Sequence, residues 1–272
     1  MKVAVVGHVE WCRFVRVEDF PRAGEIVHAT DAWEEPGGGG AVAAAELARL
    51  NGEALFFTAF GEDDLGRRAQ GELERLGIAV RAAWRNRPQR IALVYVDALG
   101  ERTITVVGEK LAPRIEDDLA WEELDGADGV YFTGGDEAAL RSLRRRSRVL
   151  VATARELPTL QGAGVELDAL VASGEDEGER HQPGDLDPPP RLVVSTAGSL
   201  GGWAQPGGPF RAVAPPGPIE DAYGAGDSFA AALTYALAEG RESADALAFA
   251  SERGAAALTR RGAHGEEVVS QS

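Results

Sequence analysis

Asp221-Ala222-Tyr223-Gly224-Ala225-Gly226-Asp227-Ser228-Phe229 leads without a break into an alanine-rich helical run that extends to Glu239. A glycine-rich turn opening a helix exposes several backbone N–H groups, and the helix dipole adds partial positive charge, so the segment is a ready anion site. Asp227 stands at its mouth. A carboxylate beside a phosphate-binding turn is electrostatically awkward unless it has a task, and the simplest task is accepting a proton from a hydroxyl nucleophile. Asp also caps helices well, so this stretch alone leaves cap and base as equal readings. The helix N-terminus is expected to favour ionised Asp227, which suffices if its role is mainly to orient the hydroxyl.

Outward from this turn, short β-rich runs end in glycine or small residues: Val3 to Val6, Ala54 to Phe60, Gly129 to Thr133, Val149 to Ala152, Ala169 to Ala172 and Leu192 to Ser195. Helical patterns lie between many of them, at Ala41 to Leu50, Leu65 to Leu76, Glu137 to Arg146, Asp227 to Glu239 and Ala244 to Thr259. Apolar strands alternating with helices predict an α/β fold, a doubly wound and mostly parallel sheet with helices on both faces, whose ligands sit at the C-terminal strand ends. Two stretches break the rhythm. Arg13 to Val17 with Glu25 to Trp33, and Ile91 to Asp97 with Arg102 to Val107 across an Ala98-Leu99-Gly100 turn, read as antiparallel β. With no helix of their own they must bury a face on the cleft, a ligand or a partner, and they predict a small β-sheet lid from about residues 12–35 and 89–108 on a single domain spanning 1–272. Asp185 to Pro190 and Gln205 to Pro209 read as loops, and Arg141 to Arg148 as a solvated helix end.

The chain has 272 residues, with 44 acidic against 28 basic side chains and a net charge of −16. That balance argues against nucleic-acid or anionic-membrane partners, which are held by Lys and Arg. Cys12 is the single cysteine, so neither an intrachain disulfide nor a cysteine-rich metal site is available. The opening apolar run is too short for a signal peptide, and no stretch approaches the roughly 18 apolar residues of a membrane span, so a cytoplasmic protein is expected.

Two weaker signals accompany the Asp227 turn. Pro36 to Gly40 opens the Ala41 helix with four glycines; unaided, it reads as either a close backbone approach to a ligand or a flexible connection. Val193 to Gly201 carries Thr196-Ala197-Gly198-Ser199-Leu200-Gly201, a strand running into a glycine turn, which is common in α/β proteins.

Taken in order, these segments resemble the ribokinase-like, or PfkB, carbohydrate kinases. The resemblance spans nearly the whole chain: the Val5-Val6-Gly7 strand, Gly24-Glu25 at the lid entrance, the glycine run, Thr58 to Gly66, the Gly100 to Thr105 hairpin, Thr196-Ala197-Gly198, Gly224 to Asp227, and Thr259 to Ala263. It implies an ATP-dependent kinase acting on a hydroxyl of a small sugar-like substrate, with a sugar or sugar acid ahead of a nucleoside. Asp227 would be the base, and Gly224, Ala225 and Gly226 the anion hole. Thr196, Gly198 and Gly201 would line the nucleotide, Gly262 and Ala263 the adenine, and Mg2+ would bridge the phosphates. Asp221 matches a position near the monovalent-cation loop of members that use K+. Members often pair lids, so a homodimer is expected, through an apolar face formed by Ile91, Leu93 and Tyr95 with Ile104 and Val106.

Departures from the family pattern are concentrated elsewhere. The Asn-x-x-Glu motif that orders magnesium-bound water falls on Ser173-Gly174-Glu175-Asp176, leaving Asp176 as the carboxylate acting through water, with Glu175 and Glu177 as neighbours. The acidic residue that grips sugar hydroxyls falls on Cys12, with Glu10 the nearest carboxylate. The Gly-Gly-Lys-Gly-x-Asn pattern is Gly37-Gly38-Gly39-Gly40-Ala41-Val42, without its Lys and Asn. Glu10, Cys12, Gly38, Gly39, Val42 and Tyr95 are therefore the expected substrate residues of a pocket that reads hydroxyls in an unusual way, with His8 alongside. The competing readings are a non-catalytic ligand or nucleotide sensor on the same scaffold and, more weakly, a dinucleotide oxidoreductase, whose glycine spacing the Gly7 turn lacks.

Overall fold

The structure is a computed structural model that describes residues 1–265; residues 266–272 lie outside the described part. The chain opens with β1 (Val3–Val6), β2 (Glu10–Arg16) and β3 (Asp31–Gly37), then alternates through α1 (Gly39–Asn51), β4 (Ala54–Gly61), α2 (Asp64–Arg75) and β5 (Ile78–Arg85). A hairpin of β6 (Ile91–Val96) and β7 (Arg102–Val107) precedes β8 (Ala127–Phe132), α3 (Glu137–Arg146), β9 (Ser147–Thr153), α4 (Leu157–Ala163), β10 (Ala169–Ser173) and β11 (Val193–Thr196). An edge hairpin of β12 (Gly202–Gln205) and β13 (Gly208–Phe210) is followed by α5 (Ala225–Ala238) and α6 (Ser243–Ala257).

Nine strands form the main sheet in the order β13-β12-β11-β10-β9-β8-β1-β4-β5, parallel from β11 to β5 and antiparallel at the β12–β13 edge. Strand geometry sends alternate side chains to opposite faces. Val3 and Val5 enter the core under α1, α2, α5 and α6, while Ala4 and Val6 enter the one under α3 and α4. Burial on both faces is why these strands read as continuous apolar runs. Small residues along α1, α5 and α6 let these helices pack closely on the sheet.

The lid is a separate four-stranded sheet, order β3-β2-β6-β7. Cys12, Phe14, Ala92, Val94 and Val96 bury its inner face against Val42 and Tyr223. The expected strand from Glu25 to Trp33 begins only at Asp31; Glu25, Ile26, Val27 and Ala29 instead line a cavity of about 330 Å³ together with Val15 and Tyr95. The expected apolar patch is also divided. Val94 pairs Ile104 and Ala92 pairs Val106, so those two share the inner face, whereas Leu93 and Tyr95 pair Thr105 and Thr103 on the outer one. The period of two in a strand separates residues that a simple list of apolar positions had joined.

Candidate active site

Gly224 sets the geometry of the turn that opens α5. It caps α5 in the left-handed region, φ 75°, and a Cβ there would lie 2.8 Å from Val42 Cγ1, so only glycine turns the chain here without strain. The Cβ position of Gly226 faces open space, which leaves the exposed N–H end of α5 accessible to an anion. Asp227 follows in the first helical turn.

Opposite it, α1 brings a second helix N-terminus to the same place. A Cβ on Gly39 would lie 2.8 Å from Asp227 Oδ1 and 3.0 Å from Thr133 Oγ1. The glycine run is thus packed rather than slack: Gly37 lies against Cys12 and Tyr223, Gly38 against Glu10 and Gly40 against the His8 backbone. Asp227 is raised to about 6, first by burial and then by the charge of Glu179, with Arg102 and Arg155 pulling the other way. The expected ionising effect of the helix end is outweighed by loss of water.

At the C-terminal ends of β10 and β11, Ser173 pairs Thr196, and the Gly174 N–H donates to the Thr196 carbonyl at 2.8 Å. Gly198 lies against the Glu175 carboxylate. Gly201, at φ 95°, is packed on the Phe210–Ala212 backbone and shapes the β11–β12–β13 edge. Asp176 is held by two neighbours. Its side chain accepts from Gly178 N–H at 2.8 Å and pairs Arg155 at 2.6 Å, an attachment that lowers its pKa. Glu179, absent from the motif reading, accepts from Ser173 N–H at 2.9 Å and from Arg155 at 2.7 Å, and its charge reaches Asp227.

The substrate end differs most from expectation. Cys12 is fully buried, its thiol 3.1 Å from the Tyr223 hydroxyl, and burial pushes it well above the ordinary thiol range. The Gly38 N–H donates to Tyr223 Oη at 2.7 Å, so neither Cys12 nor that N–H is free to meet a sugar. Val42 packs under Gly224 and supports the turn instead of reading a ligand. Tyr95 points to the outer lid face. Glu10 is buried, its pKa raised by loss of water, with Oε1 2.9 Å from Arg90 Nε and 3.9 Å from His8 Nε2. His8 Nδ1 lies 3.2 Å from the Thr133 carbonyl, to which Lys110 Nζ donates at 3.1 Å. Lys110 also pairs Glu156. Arg90, Lys110, Arg155 and Thr133 carried no motif, and only their meeting across distant segments marks them.

Gly262 and Ala263 are held through their backbone N–H groups. The Gly262 N–H donates to Asp221 Oδ2 at 2.6 Å, and the Ala263 N–H to Glu35 Oε1 at 2.8 Å, which ties the chain end to lid strand β3. Asp221 also accepts from the Tyr223 N–H at 2.9 Å. Burial raises Asp221 and lifts Glu35 to about 7. These two residues therefore join the Asp221 loop to lid strand β3.

The pfkB family carbohydrate kinase model matches residues 1–162 and 166–268. An ATP-dependent ribose-1-phosphate kinase of Halopiger xanaduensis is 27% identical over 293 residues, covering 97% of this chain and 94% of that one. Among solved structures, Thermotoga maritima ribokinase superposes with a TM-score of 0.74 at 22% identity, covering 97% and 95% of the two chains. Adenosine kinase of Sinorhizobium meliloti does so with 0.77 at 17% identity, covering 98% and 96%. At such identities the superpositions establish the fold, while the family model extends over nearly the whole chain. The protein belongs to the pfkB family of carbohydrate kinases and is an ATP-dependent phosphotransferase with the ribokinase-like fold.

Proposed function

We propose that the chain transfers the γ-phosphate of ATP to a hydroxyl of a sugar or sugar-like small molecule, with Asp227 as the base. The observation that carries this reading is the convergence of the α1 and α5 N-termini on Asp227, with open space over Gly226. Asp227 takes the hydroxyl proton as the oxygen attacks the γ-phosphorus and the bond to the β-phosphate oxygen breaks, leaving ADP. The N–H groups of Gly224, Ala225 and Gly226 would stabilise the negative charge of the transferring group. The nucleotide phosphates would lie along the Thr196–Gly198 turn.

Among the described residues no group of three or more His, Cys, Asp or Glu side chains forms a metal cage. Isolated carboxylates suit Mg2+ that arrives on the nucleotide phosphates and is met through water, here by Glu179. Such an ion supplies neutralisation of phosphate charge. K+ would sit where Asp221 and Glu35 meet the Gly262–Ala263 turn, since two buried carboxylates favour a compensating cation. A homodimer would pair the outer lid faces through Ile91, Leu93, Tyr95 and Val107; a monomeric mass by sedimentation would refute it.

The test is ADP release from Mg-ATP across sugars, sugar acids, polyols and nucleosides, comparing the wild type with Asp227→Asn. One acceptor should raise turnover and the substitution should abolish that rise. ATP binding with no responsive acceptor would favour the sensor reading.

A further inference from the structure

Strand β8 delivers a second polar side chain to the cleft beside Asp227. Tyr131 and Thr133 share the face covered by α1 and α5, because side chains two apart in a strand point the same way. Tyr131 is sealed in the core, and Thr133 follows just past the C-terminal end of the strand. Its backbone is held from both sides. The Thr133 N–H donates to the Val6 carbonyl at 2.9 Å, and its own carbonyl meets Lys110 Nζ at 3.1 Å and His8 Nδ1 at 3.2 Å. The side chain is fixed as well: its methyl lodges where a Cβ on Gly7 would collide with it, and this wedge selects one rotamer of a β-branched residue. The hydroxyl is thereby turned toward Gly39. The point at which Gly39 would carry a Cβ lies 3.0 Å from Thr133 Oγ1 and 2.8 Å from Asp227 Oδ1, so the glycine leaves a notch walled by one hydroxyl and one carboxylate oxygen. Neither oxygen is engaged elsewhere. Among the described residues neither the Thr133 hydroxyl nor the Asp227 carboxylate makes a hydrogen bond, and neither is closed off from solvent as the Ser228 hydroxyl is. Polar groups this deep are ordinarily paired, so two unpaired neighbours facing one gap mark a place for a ligand atom.

We propose that Thr133 is the second contact of the reacting hydroxyl, whose oxygen sits over Gly39, gives its proton to Asp227 and accepts a hydrogen bond from Thr133 Oγ1. This assignment rests on the kinase reading and adds a group to the same site. The two contacts use the proton and one lone pair of the acceptor oxygen and leave the other lone pair aimed at the γ-phosphorus, which is how fixed orientation lowers a barrier. The new O–P bond forms as the bond to the β-phosphate oxygen breaks; Asp227 takes the acceptor's proton and Thr133 keeps its own. Such a notch selects a hydroxyl, which both donates and accepts. A deoxy or methoxy carbon at the same place would leave one or both wall oxygens unpaired.

The experiment measures ADP release from Mg-ATP with a neutral pentose, a pentose phosphate, a sugar acid and a nucleoside as acceptors, on the wild type, Thr133→Val and Thr133→Ser. Thr133→Val keeps the methyl at Gly7 and the shape of the side chain and deletes only the hydroxyl. With the acceptor that the wild type uses, it should lower kcat about 10- to 100-fold and leave ATP affinity, measured by calorimetry, unchanged. Thr133→Ser retains the hydroxyl and should stay within about fivefold of the wild type. The acid limb of kcat/KM should keep its position in both variants, since Thr133 touches the acceptor and not the base. If Thr133→Val does not fold, Thr133→Ala carries the same comparison against Thr133→Ser. Wild-type turnover in Thr133→Val, or equal losses in the Val and Ser variants, would overturn the inference and leave the kinase standing. A displaced acid limb would also overturn it, by making Thr133 a partner of Asp227. No response of the wild type to any acceptor would overturn the kinase reading and this contact with it.

Discussion

At the phosphate end of the cleft, the groups that would meet an anion are backbone N–H groups of Gly224 to Gly226, placed by a glycine that no other residue can replace cheaply. At the hydroxyl-reading end the corresponding groups are side chains, and they have found one another: the Cys12 thiol and the Gly38 N–H both meet the Tyr223 hydroxyl. The contrast is between a site made of main chain and one made of side chains. A backbone cradle is fixed by helix geometry and persists while the fold persists. A side-chain site depends on which partners its groups find, and here a buried thiol and a backbone N–H both meet one phenol. The two ends should therefore respond to substitution in different ways.

The largest effect belongs to the phosphate end. Asp227→Asn should lower kcat about 10²- to 10⁴-fold while nucleotide binding, measured by calorimetry, persists. Because the pKa of Asp227 is raised in the folded state, its ionised form opposes folding above that value, and the same variant should melt higher than wild type at pH 7. A lower melting temperature would mean that Asp227 acts as a structural cap. Next is the hydroxyl end. Cys12→Asp restores the family's acidic residue in sequence but places a carboxylate in a fully buried spot facing a phenol, so it should destabilise by about 2–4 kcal/mol by denaturant titration and gain no activity on neutral sugars. A rise in that activity would show the contrast between the two ends to be superficial. Tyr223→Phe should cost about 1–3 kcal/mol by leaving the Gly38 N–H and the Cys12 thiol unpaired.

Most of the parallel strands, the helices other than α4 and the glycine turn before α5 were readable from the sequence because each rests on local signals: apolar runs, a 3.6-residue period and a glycine-led helix start. The Glu137–Arg146 helix and the Val3–Val6 strand fall where their patterns place them. β5 carries no continuous apolar run because it is a half-buried edge strand in which alanines and Arg81 and Arg85 dilute Ile78 and Val80, and β12–β13 read as loop because Gln205 to Pro209 is rich in Gly and Pro. The site was less legible. The α1 contact with Asp227 joins segments far apart in sequence, and Tyr223 occupies a position whose partners, Cys12 and Gly38, are known only in three dimensions. Glu179 lay one turn past the expected motif. Arg90, Lys110 and Arg155 stand in unremarkable surroundings until the chain gathers them around His8.

The smallest effect concerns Glu179 and tests how the phosphate end tunes its base. Burial is the main cause of the raised Asp227 pKa of about 6, and the like charge of Glu179 is the second. A base that must be ionised gives an acid limb in kcat/KM, with activity falling as pH drops through about 6. Glu179→Gln removes the negative charge and frees Arg155 from one of its two carboxylates, and both changes favour ionised Asp227. The limb should therefore move to lower pH while the plateau above neutrality changes little unless Glu179 also meets the metal. That exception separates two roles for one residue. A shifted limb with an unchanged plateau makes Glu179 a tuner of the base. A depressed plateau that higher Mg2+ restores makes it the carboxylate that meets the ion through water. An unmoved limb would place the control of Asp227 in burial alone, and the phosphate end would then be tuned entirely by its backbone and by the closing of the cleft.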